Sequence, residues 1–576
     1  MSLHSLVIQS FQSSPVFPAS VKSIQANGKT IAQGLYGSSK GLFVGSIFQA
    51  TENSILVLTS TTREAEEIYQ DIRYFFPEIV CEMFPSWEMM PYERISPFSD
   101  VIHHRVMVLH KIVSGERLVV VAPVQAALQN IIPLPIFKNL YIDIKMGEEM
   151  LYELLIEEIA HLGYKRTSMV EGSGEFSVKG DILDIFPSSM ENPVRIEFFG
   201  DTIERVRTFD ALSQRMIEEI DFVEILPQRE LIYDKQGTAR ALEKLSTDFS
   251  NQLEKKEIVE YITNGIYFNG IEHLTPLFYE PFCLLDYLPE ALVVLNEEER
   301  ISKAEKRLLY EAGEIFHSSH KHQQVKPSPQ ELYSSYDKKL AHRKNVELYF
   351  LTRFDTDNAI TFKIGTPDGF KESISRFSEY VKGKIEEGYR FGILASYEGQ
   401  AKRLKDILSV PELSPVLEGD LIDSGGKIVK QKPKENDILI STASLSSGFI
   451  LHDTRFYLLM DREIFGRKRS FFKKIHKVNS TPIESFFELS RGDYVVHVNY
   501  GIGKFFGIER IKAYNKEKDY IKLIYAESET LYIPIEQMNL VQKYIGGSGN
   551  EPTLDKLGSK SWEKTKSRVK KALEQM

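Results

Sequence analysis

The chain has 576 residues and carries 71 Lys and Arg against 81 Asp and Glu, a formal net charge of −10. That length accommodates about four domains. The acidic balance excludes a surface that is basic all round, though not one basic face, and a composition of 42% hydrophobic and 26% charged residues excludes a disordered chain.

In chain order, residues 54–59 read as a buried strand. Residues 63–76 follow as a helix with Ala65, Ile68, Ile72 and Phe75 on one face. Residues 118–122 are a further strand, ended by Pro123. Strand–helix–strand order predicts a parallel sheet with helices on both sides, an α/β lobe whose first part covers residues 1–130. From about Pro133 the pattern changes: a helix over 148–162 precedes period-two strands within 176–186 and 194–199. This predicts a small α+β module, residues 131–207, inserted into the lobe, which resumes over 208–320 with a strand at 291–295. The polar stretch 311–343, with Pro327 and Pro329, reads as a helix end and then a linker over 321–345. A further α/β domain, 346–480, has strands at 391–395, 437–441 and 456–460 and a helix at 400–408. Over 485–546, short strands punctuated by Gly501, Gly503 and Gly507 predict a small β-barrel. Residues 547–576 read as a linker and the start of another unit. Its basic stretch 556–576 holds seven Lys and Arg against two Glu and ends in mid-helix without a capping signal, as if the chain continued.

Chemistry is sparse. Residues 34–41 match a phosphate loop at Gly34 and Lys40. Ser39 replaces the second glycine, however, and Gly41 replaces the hydroxyl residue that would hold Mg²⁺. Asn296 stands where the acidic partner would be wanted. A relic loop kept for packing is the favoured reading, ahead of weak nucleotide or anion binding and, last, ATP hydrolysis. His317, His320 and His322 have an H-x-x-H-x-H spacing but lack a fourth ligand and a rigid frame, so a solvated segment is expected there. No residue is assigned a catalytic role, and no metal or cofactor is expected in this chain. Cys81 and Cys283 cannot staple a chain of this size, which points to a reduced, cytoplasmic setting. No Lys or Arg precedes Lys22, and no stretch reaches the ~18 apolar residues of a spanning helix, so neither a secretory signal nor a membrane partner is expected.

The most specific segment is 492–508, followed by apolar strands at 520–525 and 531–536. Val495, Ile502 and Leu523 can fill a small core, and a strand edge is left either covered or open to a partner's strand. This segment closely resembles the RNA-polymerase-interacting domain, an SH3/Tudor-like β-barrel, shared by CarD-type regulators and the bacterial transcription-repair coupling factors, the Mfd family. The N-terminal half is similar to the DNA-repair protein UvrB. The similarity lies in the degenerate loop 34–41, residues 84–88 with Pro91 and Tyr92, residues 179–187, and residues 209–215. Trp562 and the residues after it look like the lead-in to a helicase-like motor. Residues 91–119 leave no room for the aromatic-rich hairpin of UvrB, which favours the coupling factors.

The resemblance implies an N-terminal portion of such a factor, a binding scaffold in transcription-repair coupling and nucleotide excision repair. An ATP- and Mg-dependent translocase acting on double-stranded DNA would lie beyond residue 576. It implies UvrA docking on the inserted module through Arg166, Phe176 and Lys179, with Ser177 at a position the family keeps basic. It also implies docking on the β subunit of RNA polymerase through Lys504, Phe505 and Ile511. Surface solvation competes for the two cations, and a core position competes for Ile511. The basic stretch from Lys556 is either a contact to upstream DNA or an exposed helix face. Two rival classes stay open: a UvrB-like DNA-repair ATPase, and a CarD-like transcription regulator.

Overall fold

The computed structural model describes residues 2–26, 28–87, 89, 91–92, 95–248, 252–319, 325–352, 359–367, 374–418, 437–465, 480–482, 491–497, 500–513, 516–534, 541–544 and 552–557. Its first sheet is seven-stranded and wholly parallel. The spatial order is Ala359–Thr361, Lys29–Gln33, Asn345–Tyr349, Leu292–Asn296, Ile55–Thr59, Val119–Pro123 and Cys81–Met83. A parallel sheet is covered on both faces, so its strands read as unbroken apolar runs rather than alternations. The burial follows that rule. Leu56, Leu58, Val120, Ala122, Val293 and Leu295 enter one core, while Ile55, Val57, Val119, Val121, Leu292 and Val294 enter the other.

The second of these cores does not stop at the sheet. Leu3 and Val7 of helix Leu3–Gln12 share it with Leu394, Leu439, Phe456 and Leu458 of a second α/β sheet. That sheet has the order Ile364–Gly365, Phe449–Leu451, Phe456–Met460, Arg390–Ala395, Asp437–Thr442 and Ser414–Leu417. Its first two pairings are antiparallel and the rest parallel. The two α/β units are therefore joined by a continuous apolar interior.

Two boundaries of the α/β units differ from expectation. Strand Asn345–Tyr349, which spans the expected start of the further domain at 346, pairs with Lys29–Gln33 and Leu292–Asn296 in the first sheet, and Ala359–Thr361 lies at that sheet's edge. The described part of the expected linker 321–345 is packed. Val325, Leu332, Tyr333 and Tyr336 are buried, Tyr333 bridges Gln129, and helix Glu298–Ser319 runs to 22 residues before it. Polarity misled here because each short helical turn, Pro329–Leu332 and Tyr336–Leu340, buries only one or two apolar side chains.

The inserted module is a six-stranded sheet in the order Met216–Glu219, Thr202–Phe209, Val194–Phe199, Ile182–Ile185, Glu175–Lys179 and Lys165–Arg166. Helix Tyr152–His161 lies on one face. The module is closed by the antiparallel pair Ile142–Lys145 and Phe222–Ile225, so it extends past the expected end at 207.

The C-terminal sheet is antiparallel, ordered Ser480–Pro482, Val541–Tyr544, Tyr494–His497, Gly501–Ala513, Lys516–Ile524 and Thr530–Pro534. Closing a barrel requires the first and last strands to pair. Among the described residues Ser480–Pro482 and Thr530–Pro534 end the order without pairing, so no closed barrel is found among them. Among the described residues no helix is long and apolar enough to cross a membrane.

Candidate functional site

The degenerate loop connects strand Lys29–Gln33 to helix Ser39–Ala50. Lys40 is half-buried, its side chain 13% exposed, and its Nζ donates to Asn296 Oδ1 at 2.7 Å and Glu297 Oε1 at 3.2 Å. Burial pushes the ammonium pKa down, and the adjacent Glu297 carboxylate opposes that shift. The two halves of the broken motif therefore meet, but they satisfy each other. The loop is also covered. Ser38 Oγ donates to the Ser447 carbonyl at 2.6 Å, and a Cβ at Gly37 (φ +50°) would stand 1.7 Å from Ser447 Oγ. A Cβ at Gly41 would meet Asp71 Cβ at 2.6 Å, because helix Ser39–Ala50 packs there on helix Thr62–Phe75. Asp71 in turn accepts from the Ser446 backbone N–H at 2.7 Å. This geometry makes the loop a joint between the two α/β units. His317 is exposed at the end of its helix, and His320 and His322 lie outside the described residues. No cluster of metal-ligating side chains occurs among the described residues.

On the inserted module, Arg166 and Lys179 are exposed at the sheet end formed by strands Lys165–Arg166 and Glu175–Lys179. They do not share a face. Arg166 is in register with Phe176, and Lys179 lies three residues further on the opposite side of the pleat. Phe176 is 1% exposed, in the core with Ile159, Leu183 and Ile196. It is a core residue that holds its strand. Ser177 is likewise buried, its hydroxyl donating to the Ser168 carbonyl at 3.1 Å. The face carrying Lys179 also holds the Arg195–Asp184 pair, with bonds of 2.7 and 2.9 Å, and the Arg207–Glu197 pair. Exposed Arg205 and Phe199, the latter 80% exposed, lie on that face too. Sequence reasoning missed Arg205 and Phe199. Period-two alternation through Val194–Phe199 and Thr202–Phe209 is the signal that marks them.

In the C-terminal sheet, Phe505 is buried with Val495, Leu523, Leu531 and Ile533. Lys504 is half-buried, with its Nζ 5.2 Å from the centre of the Tyr494 ring. Ile511 pairs with Lys518 in the arm of the long hairpin; its side chain lies outside the described residues. The opposite face carries a charged and aromatic ladder. Lys522 Nζ donates to Glu509 at 2.6 Å, Tyr532 OH donates to Glu509 at 2.9 Å, and the Arg491 guanidinium sits 3.9 Å from the Phe506 ring centre. Strand Thr530–Pro534 pairs on one side only among the described residues, leaving an edge of the kind that accepts a partner strand.

Comparison with known proteins matches residues 142–231 to the UvrB interaction domain and residues 489–545 to the CarD-like/TRCF RID domain. The transcription-repair-coupling factor of Bacillus subtilis (strain 168) is 29% identical over 570 residues, covering 94% of this chain and 47% of that protein. The factor of Staphylococcus aureus (strain MRSA252) is 26% identical over 579 residues, covering 96% of this chain and 48% of that protein. This chain is related to the transcription-repair-coupling factors. It spans about half the length of the curated relatives it matches.

The UvrB-type match begins at strand Ile142–Lys145 and ends beyond its partner Phe222–Ile225, so it covers the module together with the pair that closes it. Residues 84–87 and 209–215 are built from a buried pair and a tight turn. Phe84 and Trp87 pack around Arg105, whose guanidinium lies 4.1 Å from the Phe84 ring centre and binds Glu230 through both oxygens. Asp210 Oδ1 accepts from the Ser213 N–H at 2.7 Å and from its hydroxyl at 2.8 Å, closing the turn over 209–215. These residues form turns and buried pairs that make the shape.

Proposed function

We propose that this chain is an adaptor that docks two partners at separate surfaces. The module around Arg166, Lys179 and Arg205 takes UvrA, and the C-terminal sheet around Lys504 and Ile511 takes the β subunit of RNA polymerase. Nucleotide excision repair is thereby brought to stalled transcription. The observation that carries this reading is the presence of both domain types on one chain that aligns over 94% of its length with a coupling factor. ATP- and Mg-dependent translocation on double-stranded DNA belongs, in this proposal, to the half of the relatives that the chain does not match. Within the chain, the loop at Lys40 and the domain beyond it serve as framework. Buried, unpaired Cys81 and Cys283 fit a reduced, cytoplasmic setting.

The test is a pair of pull-downs with purified UvrA and RNA polymerase. Reversing Arg166 and Lys179 to Glu should weaken UvrA capture at least tenfold and leave polymerase capture intact, because charge reversal opposes an acidic partner face. Ile511→Arg should do the converse, since it places a charge in an apolar contact. Wild-type capture of both partners by both variants refutes the assignment of surfaces. Phosphate release from ATP by the chain alone favours the ATPase reading instead.

A further inference from the structure

The core of the C-terminal sheet takes in residues from outside its strands. One is Leu557, buried against Val495, Phe505, Leu523 and Leu531. Asp555 fixes it there: its N–H donates to the Ile502 carbonyl at 2.9 Å, and its carboxylate accepts the Ile502 N–H at 2.7 Å. Another is Ile95, which comes from the first lobe, far earlier in the chain. Beside it the Phe98 ring meets the Tyr500 ring edge-on, with centroids 6.2 Å apart. Tyr500 is buried and set by its own turn, where His497 Nδ1 accepts the Tyr500 N–H at 3.3 Å and the two rings lie 4.9 Å apart.

The lobe presents Ile95 and Phe98 from a stiff mount. Between them Ser96 donates to the buried Glu272 carboxylate at 2.7 Å and accepts the Gly270 N–H at 3.2 Å, and Phe98 leads directly into helix Ser99–Val113. Shortly before them Tyr92 has φ +69°, a left-handed backbone that a bulky aromatic residue rarely adopts, and its hydroxyl is tied to the Pro327 carbonyl at 2.9 Å. Strain of this kind persists only where the surroundings over-determine it, and it gathers at clamps and switches.

We propose that Ile95 and Phe98 form a detachable latch, a docking surface on the first lobe whose partner is the chain's own C-terminal sheet. The structure shows the closed form; in the open form the sheet leaves the lobe as a folded unit, with Leu557 still in its core. The chain's two joints differ in kind. The α/β units share one apolar interior, from Leu3 to Leu458, and cannot part without unfolding. Among the described residues, the apolar joint to the sheet is carried by two half-buried side chains, while the sheet keeps its own backbone ladders. Small interdomain contacts permit relative motion. Closed, the latch fixes the sheet against the lobe that carries the inserted module; open, it uncouples them.

Spin labels at Glu116→Cys on the lobe and Thr530→Cys on the sheet, both exposed positions, read the separation by pulsed electron–electron resonance; Cys81 and Cys283 are buried and stay unlabelled. The parent should give one narrow distance distribution. Ile95→Ser and Phe98→Ala should each raise the open-to-closed ratio about fivefold, and together they should produce a second, longer distance. Phe98→Tyr keeps the ring and should keep the parent distribution. The proposal is overturned if the parent distribution is already broad, if the double variant is as narrow as the parent, or if the longer distance appears only with loss of the far-ultraviolet helix signal.

Discussion

Replacing Arg105 by Met removes the most deeply buried charge among the described residues of the first lobe. Arg105 is 0% exposed on helix Ser99–Val113. Its Nε and Nη2 donate to the two oxygens of Glu230, the latter at 3.0 Å, and its Nη1 donates to the Pro85 carbonyl at 2.7 Å. Glu230 is itself 4% exposed, with one further bond from the Trp87 indole at 3.3 Å. Without Arg105 that carboxylate is a buried, uncompensated charge, a loss of ~3–5 kcal/mol. Changing both residues to Met should recover roughly 2 kcal/mol, because the uncompensated charge is gone and only the Trp87 N–H is newly left without its Glu230 partner, at ~1–3 kcal/mol for an unmade bond. Urea unfolding followed by Trp87 fluorescence in a Trp562→Phe background measures both variants. The reasoning is refuted if Arg105→Met loses less than ~1 kcal/mol, or if the double variant is no more stable than the single one. Glu230 lies at the end of the UvrB-type match, so the pair also anchors the module's return to the lobe.

Glu272 is buried, and desolvation pushes its carboxyl up from 4.5 to about 7, against the bond it accepts from Ser96 Oγ at 2.7 Å. A raised folded pKa contributes stability below the unfolded value that is lost as pH rises through about 7. Glu272→Gln should therefore gain about 3 kcal/mol on the parent between pH 4.5 and 7.5; a difference that does not vary with pH in denaturation runs would contradict this. Gly41→Ser restores the hydroxyl of a phosphate loop but drives its Cβ into Asp71, so it should lower stability by ~1–3 kcal/mol and confer no ATP turnover. An unchanged melting temperature, or measurable phosphate release, would show that the two helices do not pack as closely as described.

Several elements were legible because burial on two faces leaves an unbroken apolar signature. The strands at 55–59, 119–123, 292–296, 390–395 and 456–460 all carry it. Strand Lys29–Gln33 carries only two strongly apolar-type residues, Ile31 and Ala32, between polar ones, and Asn345–Tyr349 encloses Glu347. Neither reads as a buried strand, yet both are held by their neighbours in the sheet. The inserted module shows the same division. Its strands announce themselves by alternation, but which parity faces helix Tyr152–His161 decides that Phe176 is buried while Arg205 and Phe199 are not.

From residue order alone came the α/β and α+β segments, the broken phosphate loop and the two domain resemblances, since each rests on side chains close together along the chain. Tertiary structure decided what lies far apart in number. Lys40 meets Asn296, Arg105 meets Glu230, and Leu3 enters a core with Phe456. Such pairings depend on which strands lie side by side. The apolar runs are chemically alike enough to pair in several orders, and only the joint burial of both sheet faces selects one.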